Sequence, residues 1–328
     1  MMLAMLAPVS ADTGPGAIDL MLGAAVLVTG GAALFPRARF AQAMGFLCLG
    51  VVMSLLWLRL GSVDVGLAEA ALGTGLLSAL LVWLAVAAPA GPGPDAVAAV
   101  TGSEPRRRDR LARALGGTVL GVVLTVTTSA AWLRAEQALP QWQEPLDAGM
   151  PDTGVTHEVT GVLLAFRAYD TLLESAVLML AGFAVLTLDL QTRPRRPTPT
   201  STLSWWIRAS APVLLLIGIW LLFAGSSESG GAFQSGAVLA GMLILMSATG
   251  VRTVRGAHRL LPVLLVAGVV VFILAGALGP ALGEPWLGWD PDWAFGAVLT
   301  VEIMLTLGIA AGLHLLYLGL LSGEEARS

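Results

Sequence analysis

Lysine is missing from this chain: all 18 basic positions are Arg. No buried ammonium is therefore available to shed its proton on desolvation, which excludes a Lys-centred proton pump within the chain itself. Cys48 is the single cysteine, excluding an internal disulfide and any Cys-cluster metal or iron–sulfur site. His157, His258 and His314 are too scattered to suggest zinc, and no Gly-rich phosphate loop follows a strand. Nucleotide-driven transport by this chain alone is not expected, nor is a cofactor. Charge of either sign is scarce, at 12% of residues against 56% hydrophobic and a mean hydropathy of +0.81. A soluble protein carries about twice that charge fraction.

What replaces charge is a series of apolar runs, each about long enough to cross a 30 Å hydrocarbon core as a helix. Spans of this length must be helices, because unpaired backbone groups are too costly in lipid and barrel strands would be half as long. The expected fold is all-α and polytopic, with about nine transmembrane helices near 16–34, 40–60, 65–88, 114–133, 171–189, 207–225, 232–250, 260–280 and 293–321. Basic residues should gather on the cytoplasmic side of alternate loops. Arg37 and Arg39, the cluster from Arg106 to Arg113, Arg193, Arg195, Arg196 and Arg208, then Arg252, Arg255, Arg259 and Arg327 do so, leaving Arg59, Arg134 and Arg167 as exceptions. The opposite side carries Glu136, Glu144, Asp147, Asp152, Glu158, Glu228, Glu284, Asp290 and Asp292, with Trp142, Trp286, Trp289 and Trp293 as an interfacial belt. This places the N-terminus outside and the C-terminus inside, in the cell inner membrane. No basic region or small-residue cleavage site marks a removable signal peptide near the start.

Two Pro- and Arg-rich segments, 89–110 and 191–200, read as linkers. They divide the chain into 1–90 with three spans, 91–200 with two and 201–328 with four. The outer stretch 159–169, after a long acidic loop, is apolar enough for an interfacial or re-entrant segment.

Ionisable groups within the spans are the functional candidates, since each costs several kcal/mol in the bilayer unless solvated or paired. Glu302 stands about 13 Å into the last span at 1.5 Å per residue, with Thr306 one turn on. His314 is twelve residues further along, offset by about 120° at 100° per residue, so a direct proton hop between the two is not expected. Asp64 opens the third span, where Asp ordinarily caps free N–H groups; Glu69, five residues later among Gly66, Gly73 and Gly75, is outside capping range. In AFRAYDTLLESAVL, Thr171 and Glu174 have capping-box spacing beside Arg167 and Asp170. GSSESGGAFQSGAVLAG packs small residues around Gln234, which suits tight helix packing or a polar lining.

Three of these motifs resemble known families. GSVDVGLAEAALGTGLLSALLV resembles the PDVALTEAAVGAGL signature of the MbhD domain of membrane-bound hydrogenases, also found in the large Mrp antiporter subunit; the family proline is Val63 here and its threonine is Ala68. VTGVLLAFRAYDTLLESAVLML resembles the MbhE signature, with Arg167, Asp170, Thr171 and Glu174 in place. SSESGGAFQSGAVLAGMLIL followed by FGAVLTVEIMLTLGIA resembles the MnhB (MrpB) subunit of multisubunit sodium/proton antiporters, its GGGFQGG altered at Ala232 and Ser235. The resemblances imply MbhD-like, MbhE-like and MnhB-like modules in that order over the three blocks, in a complex related to the membrane arm of respiratory complex I. They imply a subunit of an Mrp-type Na+/proton antiporter, with Asp64, Glu69, Arg167, Asp170, Thr171, Glu174, Gln234, Glu302 and His314 as ion-pathway residues. Partners would be other membrane subunits, including separate Lys-containing pump subunits, and lipid, but no nucleic acid. The rival expectations are a subunit of a redox-driven complex and a purely structural scaffold.

Overall fold

In the computed structural model, which describes residues 16–36, 38–87, 107–138, 143–187, 201–248 and 260–325, the apolar runs are helices. No strand occurs among the described residues. Residues 88–106 and 188–200, which hold the linker 89–110 up to Arg106 and all of the linker 191–200, lie outside the described residues, as do Arg37, Trp142, Arg252, Arg255, Arg259 and Arg327. Among the described residues, eight helices are long and apolar enough to cross a membrane. The ninth expected span is Ala232–Ala248, an apolar helix of 17 residues, which begins at the end of a folded-back loop. The chain is thus an all-helical, multi-pass membrane protein.

The first compact unit comprises residues 1–87 and 149–328. Helices α1 (Ala17–Leu34) and α2 (Arg39–Arg59) pack closely as an antiparallel pair. A Cβ placed on Gly45 would lie 2.5 Å from the Ala32 backbone, so only glycine permits this approach. Arg59, one exception to the charge pattern, is held by Asp19 at 2.8 Å. After a turn at Gly61 the chain runs through α3 (Val63–Ala68), a π-helical segment (Glu69–Leu77) and α4 (Ser78–Ala87) against α2. Wide π turns within α-helices recur at functional sites.

Further on, α7 (Glu158–Gly161) and a second π segment (Val162–Phe166) precede α8 (Ala168–Thr187). This is a broken helical approach to α8 over the stretch expected as an interfacial or re-entrant segment. Helices α9 (Ser201–Ala224), α10 (Ala232–Ala248), α11 (Leu261–Leu282) and α12 (Ala294–Glu325) complete the unit. Helix α12 is its axis, packed on α8, α9, α10 and α11. Val298, Val301, Leu305 and Ile309 meet Phe272 and Val269 of α11 and Leu172 of α8. The loop before α12 is fixed by Trp289, whose indole N–H donates to the Leu164 carbonyl at 2.7 Å.

The second unit, residues 88–148, is built on α5 (Arg107–Ala138), whose apolar stretch is Leu115–Ala135. Thr125 and Thr127 hydroxyls donate to carbonyls one turn back, satisfying them without solvent. Helix α6 (Gln143–Gly149) follows at the boundary between the units.

Candidate functional site

The loop 225–231 between α9 and α10 does not simply turn over. It folds back on the helix it leaves: the N–H groups of Gly225 and Gly231 both donate to the Leu221 carbonyl, at 3.3 and 2.8 Å. A Cβ on Gly225 would sit 2.5 Å from the Gly231 α-carbon, and Gly231 has φ +107°, where a side chain is strained. The GG-rich stretch of the sequence is thus spent on a backbone-to-backbone contact, which leaves the loop's polar groups facing outward in three directions.

On one side the loop receives the 156–160 segment. The Thr156 and His157 N–H groups donate to the Ser226 carbonyl at 2.9 and 3.3 Å, and the Thr160 hydroxyl donates to the Gly225 carbonyl at 2.5 Å. On a second side lies Asp64. Its carboxylate accepts from the Ser229 hydroxyl and the Gly230 N–H, both at 3.1 Å, and meets His157 Nε2 at 3.0 Å. Gln234 donates to the Asp64 backbone carbonyl at 3.4 Å. The side chains of His157 and Asp64 are 16% and 14% exposed, so the pair is shielded but open at one edge. Asp64 is therefore not a helix cap; Ser62 occupies the N-cap position and Asp64 reaches across to another part of the chain.

On the third side is Glu302, 2% exposed. A Cβ on Gly225 or on Gly231 would come 3.1 Å from its Oε1, while its Oε2 has no hydrogen-bond partner among the described residues. Thr306, 1% exposed, donates to the Ala232 carbonyl at 3.4 Å. One short loop thus stands between two carboxylates, offering the Gly230 N–H to Asp64 and lying with Gly225 and Gly231 against Glu302. In membrane proteins positive helix ends face anionic groups, and unwound backbone carbonyls coordinate cations.

The remaining sequence candidates fall elsewhere. Glu69 opens the first π segment, half-buried, with its carboxyl folded over Gly73; this segment packs on α2 and α10. His314 is fully buried near the other end of α12, with Nε2 3.3 Å from the Ser247 hydroxyl and its ring centroid 6.1 Å from that of Tyr317. Glu302 and His314 both face α10, one at its first residue and the other near its last, despite the angular offset read from the sequence. Helix α12 is enclosed on several sides over this stretch, and the twelve residues between them still separate the two by about 18 Å. Arg167, another exception to the charge pattern, pairs with Asp170 at 2.5 Å, both well exposed. Helix α8 begins at Ala168, so Thr171 lies inside it and donates to the Leu163 carbonyl at 2.6 Å rather than capping. Glu174 is exposed on α8. The π segment supplies that free carbonyl, a feature that spacing rules for α-helices do not anticipate.

Sequence reasoning missed His157 and Ser229. They are 93 and 165 positions from Asp64, and neither lies in a span, where ionisable residues draw notice. The available signal was the Ser-rich GSSESGG loop itself, which suits a polar docking turn as well as tight helix packing.

Fold and site together define a polytopic helical membrane protein with carboxylates gathered at a broken-helix junction. Residues 202–320 match the domain related to the MnhB subunit of Na+/H+ antiporter, and residues 24–90 match MbhD, a family of MBH subunits. The chain therefore joins MbhD-like and MnhB-related domains in one polypeptide. Its fold is that of a chain in the structure of the Mrp complex from Dietzia sp. DQ12-45-1b, at 20% identity and a TM-score of 0.72. That likeness covers 97% of this chain but 37% of the Dietzia chain, so the chain spans little more than a third of the length it resembles. No curated protein matches the chain.

Proposed function

We propose that this chain is a membrane subunit of a multisubunit Mrp-type monovalent cation/proton antiporter in the cell inner membrane. It transports only within the assembled complex, beside other membrane subunits that include the Lys-containing pumps this chain cannot supply. The observation that carries the reading is the junction at loop 225–231: Asp64 of the MbhD-like domain bonds the Ser229 hydroxyl and the Gly230 N–H of the loop, and Glu302 of the MnhB-related domain lies against its Gly225 and Gly231. A scaffold needs no such carboxylates, and each costs several kcal/mol in lipid unless it is used or compensated.

Residues 91–200 supply the MbhE-like part, whose Arg167, Asp170, Thr171 and Glu174 face outward for a neighbouring subunit. Glu69, Gln234 and His314 complete the ion-handling set. The N-terminus is outside and the C-terminus inside. No catalysis is assigned to the chain itself.

A second reading, a subunit of a redox-driven complex, is favoured by the MBH name that the MbhD match carries. Affinity purification of the native complex decides between them. Antiporter-type membrane subunits without iron are expected; co-purifying iron–sulfur or nickel-bearing subunits would overturn the antiporter reading.

A further inference from the structure

Two arginines at the edges of the apolar helices are neutralised within the chain, Arg59 by Asp19 and Arg167 by Asp170. Arg208 of α9 is exposed and makes no ion pair among the described residues. The membrane-spanning stretch of α9 begins at Ser204, so Arg208 stands four residues in, about 6 Å at 1.5 Å per residue. A guanidinium at that depth on the outside of the chain is costly unless it reaches back to the interface or meets an anion. Helical side chains lean toward the N-terminus of their helix, which sets Arg208 over the preceding turns and the face of Ser201, Ser204 and Trp205. That face is hollow: Ser201, Thr202, Ser204, Trp205 and Arg208 line an open recess of about 610 Å³. Its walls offer hydroxyls and one cation, and none of these residues is a carboxylate. Trp205 and Trp206, 66% and 62% exposed, meet edge to face with ring centroids 6.3 Å apart. Outward-facing indoles of this kind sit at the headgroup level of a bilayer.

We propose that this recess holds the headgroup of an anionic phospholipid. Arg208 meets the phosphate, the hydroxyls of Ser201, Thr202 and Ser204 donate to its oxygens, and the two indoles cover the glycerol and the start of the acyl chains. Charge balance selects the lipid class. A zwitterionic headgroup brings an ammonium that needs an acid, and the recess has none, so a headgroup of net negative charge is the complement. Just ahead of α9 the sequence adds Arg193, Arg195 and Arg196, with Asp189 as the nearest acid, and basic clusters beside a span attract anionic lipid. The inference goes beyond the antiporter reading and does not depend on which ion the complex carries.

The test is photo-crosslinking of the purified native complex with two lipid probes, a phosphatidylglycerol and a phosphatidylcholine that carry the same photoreactive group close to the headgroup. Adducts are located by peptide mass spectrometry. The expected result is labelling of the 201–212 stretch about fivefold stronger with phosphatidylglycerol. That excess should fall several-fold in Arg208→Gln and be partly kept in Arg208→Lys, which retains the charge without the planar fork. Unlabelled phosphatidylglycerol should compete, and inorganic phosphate at millimolar concentration should not. Equal labelling by the two probes would overturn the proposal, because α9 would then meet bulk lipid alone. Absence of adducts on this stretch would overturn it too, since another subunit would then cover the recess. An excess unchanged in Arg208→Gln would remove Arg208 from the site, and competition by inorganic phosphate would show a site for a free anion instead of a lipid; either contradicts the proposal. If Arg208→Gln does not assemble, the two-probe comparison in the unaltered complex and in Arg208→Lys decides.

Discussion

Glu302 on α12 and Glu174 on α8 are both carboxylates within apolar helices, yet they meet opposite surroundings. Glu302 is enclosed by α9, α10 and the folded-back loop, at 2% exposure, while Glu174 and the Arg167–Asp170 pair stand open on the surface. The difference lies in the neighbours and not in the residues. Helix α12 is covered by four helices of its own chain, whereas α8 buries Ala168 and Leu172 at its start and leaves the face of Glu174 open. Groups enclosed within the chain should govern ion handling wherever the chain is assembled. Groups on the open face should matter only through the partner that meets them.

The largest expected effect sharpens this contrast directly. Glu302→Gln preserves size and removes the charge, so the complex should assemble while cation/proton exchange in everted vesicles falls about tenfold or more. Glu174→Gln should leave the fold of this chain unaltered; any transport loss should come with weaker retention of a neighbouring subunit on native gels.

Asp64→Ala comes next. It removes the acceptor of the Ser229 hydroxyl and the Gly230 N–H and leaves both donors partly buried, at a cost of about 1–3 kcal/mol each. Protease sensitivity of the 225–231 loop should rise and exchange should fall several-fold. His157→Ala should have a smaller effect of the same kind, partly restored by His157→Gln, whose amide can donate to Asp64. If His157→Ala were to match Asp64→Ala in full, the backbone and Ser229 contacts would be incidental. The smallest effect is expected of Asp170→Asn, since exposed ion pairs contribute at most about 1 kcal/mol. The thermal midpoint of the detergent-solubilised chain should hardly move.

Most of the fold could be read from the sequence, because hydropathy and helix length are tied together by bilayer thickness. Glu302, Asp64 and Gln234 were visible as polar residues in or beside apolar runs. His157 and Ser229 were not, since loop residues carry no such contrast and their meeting with Asp64 depends on how the domains dock. The π segments at Glu69 and Val162 also escaped, as their wide turns arise from packing rather than from a local residue signature. The segment at Val162 accounts for the misread capping box at Thr171 and Glu174. The reading of Asp64 as a cap failed for a related reason: a carboxylate at a helix start can cap its own helix or bridge to another, and local sequence does not distinguish the two.

The most direct test is reconstitution of the purified native complex into liposomes with separate cation and pH indicators inside. An imposed proton gradient should drive Na+ movement in the opposite direction with no electron donor added, and Glu302→Gln should abolish both signals together. Ion movement that appears only when a reductant is supplied, or exchange that proceeds normally in the assembled Glu302→Gln complex, would contradict this.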